Sequence, residues 1–167
     1  STTLKIKRIN LLKKYNNFTF YKEDILNYKS IKKIFEKYNF QLVINLAAQP
    51  GVRASVINPK YVFKNNVDGF FNILNLVKEF SIEHFIYAST SEVYAGTLAS
   101  GRLSFPSPES SEILLPDLSE ARSSYMLSKI YGEALCSQSG LPFTIFRPHN
   151  IYGPRMGMRH VIPELMR

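Results

Sequence analysis

Three short runs of mostly apolar residues decide what this chain can become. Leu42-Val43-Ile44-Asn45-Leu46-Ala47 is almost continuous hydrocarbon, and His84-Phe85-Ile86-Tyr87-Ala88-Ser89 and Phe143-Thr144-Ile145-Phe146-Arg147 follow at a distance. Unalternated runs of this length are expected of strands covered on both faces of a parallel sheet. Between them the period becomes helical. From about Tyr61 to Phe80, Val67, Phe71, Leu74 and Val77 fall on one side, and Pro59 stands where helix starts tolerate it. Residues 125–136 read as a further helix. Upstream, residues 4–15 carry Leu4, Ile9, Leu11 and Leu12 among lysines, Phe18 to Tyr21 is rich in strand formers, and Ile31, Ile34, Phe35 and Tyr38 share a helical face after Asp24. Strand alternating with helix predicts an α/β domain, a doubly wound parallel sheet with helices on both faces.

The chain has 167 residues, 45% of them hydrophobic, enough for one domain with a real core and too few for two large ones. Its formal charge of +8 could draw a polyanion. The lysines crowd residues 5–37 on segments that read as ordinary amphipathic helices, with no zinc-finger spacing or RNP-like aromatics, so no nucleic-acid partner is expected. RNA binding through Lys13, Lys14, Lys32 and Lys33 is the reading this leaves open. Cys136 is the only cysteine, which excludes an intrachain disulfide and a cysteine-rich zinc site. His149 and His160 have no partners at metal-ligand spacing, so no metal is expected. With no apolar run of membrane-spanning length and a polar start unlike a signal peptide, a cytoplasmic, membrane-free protein is expected.

Chemistry is expected at the carboxyl ends of the strands, where open α/β sheets bind ligands. Ser89, Thr90, Ser91 and Glu92 stand at one such end. Tyr125 and Lys129, four apart on a helix, share a face, and an ammonium beside a phenol favours the phenolate, a base for a sugar or alcohol hydroxyl. Taken alone, the pair reads far more readily as a solvated helix face. The polar, proline-punctuated stretch from Ala95 to Arg122 is a long loop of the kind that is usually functional or mobile.

Six motifs in one order carry a resemblance. They are Asp24-Ile25; Asn45-Leu46-Ala47-Ala48-Gln49-Pro50-Gly51-Val52-Arg53 with Ser55 and Pro59; Asn66-Val67-Asp68-Gly69; Ser89-Thr90-Ser91-Glu92-Val93-Tyr94; Tyr125 with Lys129; and Arg147-Pro148-His149-Asn150-Ile151-Tyr152-Gly153-Pro154. From about residue 18 the chain resembles the extended short-chain dehydrogenase/reductases, in particular NAD-dependent nucleotide-sugar epimerases and dehydratases. The resemblance implies a Rossmann-like domain using NAD rather than NADP. It implies that Asp24 and Ile25 contact the adenine, that Ala47, Ala48, Gln49, Asn66 and Ser89 line the cofactor, and that Lys129 holds its ribose and tunes Tyr125. Thr90 matches the catalytic Ser/Thr and Tyr125 the base. Arg53, Ser55, Ser91 and Asn150 fall at substrate positions, Arg53 in a motif resembling the uronate-type epimerases. Close packing for the alanines, a helix cap for Asp24 and plain exposure for Arg53 remain the competing readings.

The resemblance departs at one place. None of the eight glycines forms the family's glycine-rich turn, which sets a helix N-terminus against the pyrophosphate. The expected architecture is therefore incomplete, without first strand, glycine turn or most of the substrate lobe: residues 1–154 as a partial NAD-binding domain and 155–167 as the start of the truncated lobe. These residues alone are expected neither to hold NAD tightly nor to turn over substrate. The implied reaction passes through a 4-keto sugar and favours 4-epimerisation; Glu92, two residues after Thr90, resembles a dehydratase or decarboxylase. An idle Rossmann-like binding module is the reading of another class. A homodimer is implied for the full-length protein, with Phe63, Phe70 and Phe71 as its face or as core.

Overall fold

The computed structural model describes residues 2–49, 52–120, 123–153 and 161–166, the side chains of Val52, Arg53, Val161 and Pro163 excepted. Strands β1 (Leu42–Asn45), β2 (His84–Ala88) and β3 (Phe143–Phe146) form a parallel sheet in the order β1-β2-β3. Register sets Val43, Phe85 and Phe143 side by side, then Asn45, Tyr87 and Ile145. Side chains alternate along a strand, so these six share one face.

That face meets the helices. Helix α1 (Thr2–Leu12) buries none of its residues. Helix α2 (Tyr28–Lys37) starts at Asn27, whose side chain accepts from the Ser30 N–H at 3.2 Å, and buries Ile31 and Phe35, one turn apart. Beyond β1 comes α3 (Val52–Ile57). A continuous helical stretch then runs from α4 (Pro59–Phe63) through a π-turn (Lys64–Asp68) into α5 (Gly69–Glu79). The sequence reading places this helix well and misses the π-turn inside it. Phe70 of α5 lies 6.0 Å from Phe85 and 4.6 Å from Tyr87 between ring centroids, and with Leu76 and Val77 it is fully buried. Each such side chain taken from water contributes about 1.5–3 kcal/mol. Phe70 is therefore core and no part of a dimer face, whereas Phe63 and Phe71 are exposed. Helix α5 ends where Ser81 turns to a φ of 50° and the Ile82 N–H reaches back to the Val77 carbonyl at 3.0 Å. After β2, a 3₁₀ turn (Ser91–Tyr94) leads into α6 (Ala95–Ala99); α7 (Ser123–Ser137) precedes β3, and α8 is Val161–Leu165.

The parallel sheet with its connecting helices is the incomplete Rossmann-like fold expected, but among the described residues the second face of β1 is not covered. Parallel strands joined in sequential order by right-handed crossovers put every connecting helix on the same face. The other face keeps its hydrocarbon in solvent, with Leu42 46% and Ile44 52% exposed, so β1 is not covered on both sides as its composition predicts. Phe18 to Tyr21 forms no strand either, because strand formers need a neighbouring ladder and no described segment supplies one. Most of residues 100–120 lacks regular structure, as expected, but it is tied down: Thr97 Oγ1 donates to the Glu112 carbonyl at 2.5 Å and accepts from the Leu114 N–H at 3.2 Å.

Candidate active site

Thr90 stands two residues beyond β2 and caps the 3₁₀ turn, its Oγ1 accepting from the Glu92 N–H at 3.3 Å. Across from it, α7 presents Tyr125, Lys129 and Glu133, spaced four apart and hence on one stripe. The stripe grips three consecutive residues at the end of β2. Lys129 Nζ donates to the Ala88 carbonyl at 2.7 Å, and Ser89 Oγ donates to Glu133. Tyr125 lies near Thr90, whose hydroxyl works against the rise that burial gives the phenol's pKa. Helix α7 can lie this close because residue 132 is glycine: a Cβ there would stand 2.1 Å from the Tyr87 hydroxyl.

Electrostatics at the trio depart from expectation. Burial pushes the Tyr125 phenol above its ordinary value, Thr90 opposes that, and the charge of Glu92 adds to it. Lys129 was expected to lower it. Instead its ammonium is drawn under the rim, onto the Ala88 carbonyl and 5.0 Å over the Tyr87 ring, where loss of water lowers its own pKa to about 8. In this arrangement Tyr125 is a protonated phenol.

The cofactor candidates form a second group tied to the first. Asn66, 3% exposed, accepts from the Gln49 N–H at 2.7 Å and donates to the Gln49 carbonyl at 3.3 Å and to Ser128 Oγ at 3.1 Å. It thus fixes the loop bearing Ala47 and Ala48 to α7, beside Lys129, from beneath. Three and six residues on, the same helical stretch holds the Asp24 loop. Ile25 packs so tightly on Gly69 that a Cβ there would meet its Cδ1 at 2.6 Å, and Asn72 Nδ2 donates to the Ile25 carbonyl at 3.0 Å. The Ile25 side chain is therefore spent on packing. Asp24 is exposed and accepts from the Leu26 N–H at 2.9 Å, the local turn that competed with a ligand role. The Ser89 hydroxyl spends its proton on Glu133 and keeps only acceptor capacity for a ligand.

Of the substrate candidates, Ser91 is half-buried beside Thr90, Ser55 is buried on α3, and Asn150 is exposed beyond β3. The Arg53 side chain, Pro50, Gly51, Pro154, His160 and the boundary at 154/155 lie outside the described residues. Residue-by-residue reading missed Glu133, Asn72 and any role for Arg147. Glu133 had a signal, since it is the next step of the four-residue spacing that singled out Tyr125 and Lys129. Among the described residues, no three His, Cys, Asp or Glu gather as metal ligands. Among them, too, no helix is long and apolar enough to cross a membrane.

Comparison with known proteins places the chain in a family. Over 155 residues the chain is 39% identical to the UDP-glucuronate 4-epimerase of Thermodesulfobacterium geofontis, covering 91% of this chain and 45% of that protein. It is 32% identical over 171 residues to the dTDP-D-glucose 4,6-dehydratase of Dictyostelium discoideum, covering 96% of this chain and 38% of that one. The crystal structure of a UDP-glucuronic acid 4-epimerase from Bacillus cereus, bound to UDP-glucuronic acid and NAD, superposes with a TM-score of 0.75 at 32% identity, covering 99% of this chain and 49% of that chain. The chain thus spans less than half the length of these relatives. The model of the NAD dependent epimerase/dehydratase family matches residues 2–167, and the chain belongs to that family, within the extended short-chain dehydrogenase/reductases.

Proposed function

We propose that the full-length protein carrying this chain is an NAD-dependent 4-epimerase of a nucleotide sugar, most consistent with a uronate-type substrate. The observation that carries this is the convergence of Thr90, beyond β2, with the α7 stripe of Tyr125 and Lys129, whose ammonium donates to the Ala88 carbonyl at 2.7 Å. Thr90 would hold the oxygen on carbon 4 of the sugar while Tyr125 takes the hydroxyl proton, leaving a 4-keto sugar. Bound NAD would supply the acceptor and later donor of the hydride and, when oxidised, a cationic ring. Tyr125, held protonated by burial, needs added positive charge nearby to act as a base; as the acid that returns the proton it is already in the right state. Ala47, Ala48 and the Asn66-braced loop would line the cofactor, Asp24 its adenine, and Lys129 its ribose, with NAD preferred to NADP. Arg53, Ser55, Ser91 and Asn150 would meet the sugar nucleotide. The reading keeps residues 1–154 as cofactor domain and 155–167 as the start of a substrate lobe, in the cytoplasm. Tyr61, Phe63 and Phe71, each about half exposed, would pair in a homodimer.

A second reading, dehydration, draws support from Glu92, which lies inside the 3₁₀ turn after Thr90 and whose charge reaches Tyr125. Incubation of the full-length protein with UDP-glucuronate, UDP-glucose and dTDP-glucose in deuterated water separates the two. Epimerisation yields the 4-epimer with no solvent deuterium on carbon, and dehydration incorporates it. Tyr125→Phe is expected to lower turnover about 10²–10⁴-fold. Unchanged turnover in that variant would favour a non-catalytic binding module.

A further inference from the structure

Glu133 is the most heavily committed carboxylate described, and neither reaction above uses it. It is 7% exposed. Arg147, the first residue after β3, grips it with a two-pronged fork, Nε to Oε1 at 2.9 Å and Nη2 to Oε2 at 2.7 Å. Ser89, the residue before Thr90, donates to the same Oε1. The remaining guanidinium nitrogen of Arg147 donates to the Tyr94 hydroxyl at 2.5 Å and the Glu109 carbonyl at 3.2 Å, with the guanidinium 5.0 Å over the Tyr94 ring. Tyr94 closes the 3₁₀ turn that Thr90 opens. One ion pair therefore holds the residue before Thr90, the far end of the turn after it, the end of β3, and α7 two turns beyond Tyr125.

Buried ion pairs rarely stabilise more than hydrocarbon of the same volume, because both charges lose their water. What a forked carboxylate–guanidinium pair does supply is fixed direction at both ends. The catalytic hydroxyls come from two elements, a strand end and a helix, and apolar contacts between them attract without specifying direction. Misplacement by about 1 Å can cost a hundredfold in rate.

We propose that Glu133, clasped by Arg147, is the positioning residue that sets the Thr90 hydroxyl against the Tyr125 phenol, an inference that rests on the catalytic reading of those two residues. In the full-length enzyme, Glu133→Gln is expected to lower kcat per folded molecule roughly ten- to a hundredfold, with KM for the sugar nucleotide changed less than about twofold. Arg147→Lys keeps the charge but loses the fork and is expected to match it. A pair that mattered only for folding would lower the thermal midpoint and the folded fraction while kcat per folded molecule stayed at the wild-type value. That result, or a wild-type kcat in Arg147→Lys, overturns the proposal. Ser89→Ala removes one contact and serves where Glu133→Gln does not fold, with a loss of about threefold or more in kcat expected and no loss overturning the assignment. Tyr125→Phe runs in parallel: if it keeps turnover, the catalytic reading itself has failed, whereas its inactivity beside an unimpaired Glu133→Gln refutes the clamp alone.

Discussion

Helices α5 and α7 cover the same face of the same sheet and do it with opposite chemistry. Helix α5 buries Phe70, Ile73, Leu74, Leu76 and Val77, all hydrocarbon. Helix α7 buries Ser128, Lys129 and Glu133 beside Met126 and Cys136, and the three polar groups reach Asn66, Ala88 and Arg147. Apolar contacts are strong in sum but do not specify direction, whereas hydrogen bonds to fixed partners specify direction and yield little net free energy. The difference teaches that α5 secures the fold and α7 spends stability on alignment. Natural sites are often arranged this way, with function held against a local optimum of stability.

The largest effect expected from this division is in α5. Phe70, fully buried and in contact with both Phe85 and Tyr87, cannot be truncated without leaving a cavity at the centre of the domain. Phe70→Ala should cost about 3–5 kcal/mol in denaturant unfolding of the full-length protein. A cost under about 1 kcal/mol would place the core elsewhere. The next effect has the opposite sign and lies in α7. With its pKa lowered to about 8, keeping Lys129 charged at pH 7 costs roughly 3 kcal/mol. Lys129→Met keeps the length, removes that cost and loses the bond to Ala88, for a net stabilisation of about 1–2 kcal/mol with turnover abolished. Destabilisation on that change would show that α7 is built for stability after all.

How much of this was legible beforehand differs between the same two helices. The apolar period of the stretch from the π-turn through α5 announces itself in Val67, Leu74 and Val77, all buried, although Phe71, read on the same side, is exposed. The stripe on α7 also shows as Tyr125 and Lys129, but not what it touches. A four-residue spacing places an ammonium beside a phenol, yet only the fold reveals that the Ala88 carbonyl lies nearer at hand and that Thr90, from a strand 35 residues earlier, faces the phenol instead. The three strands were readable from composition. Their bare second face was not, because whether Leu42 and Ile44 are covered depends on which way the crossovers run and on what else packs there. For Ser89 and Ile25 a motif fixes which residue stands at a position, and packing decides whether its side chain or its backbone is on offer.

The smallest effect is in the pH dependence of stability, and it separates α7 from the core beneath it. Between pH 8 and about 10.5, Lys129 is neutral when folded and charged when unfolded, so the unfolded chain binds more protons and stability rises with pH. Cys136 and Tyr87 act the other way. Burial pushes the Cys136 thiol up to about 12 and the Tyr87 phenol upward as well, so above about pH 9 the folded chain keeps protons that the unfolded chain loses, and stability falls. Between pH 8 and 9 the lysine has the larger effect and the thiol only begins to oppose it. Stability should therefore climb there by up to about 1 kcal/mol, then level and decline. Denaturant unfolding at half-unit steps of pH reads this directly, with Lys129→Met as the partner curve, expected to be flat to pH 9 and to fall beyond it. Superimposable curves for the two proteins would mean that the ammonium is already in water, and the polar stripe of α7 would then be a solvated surface with no alignment to give.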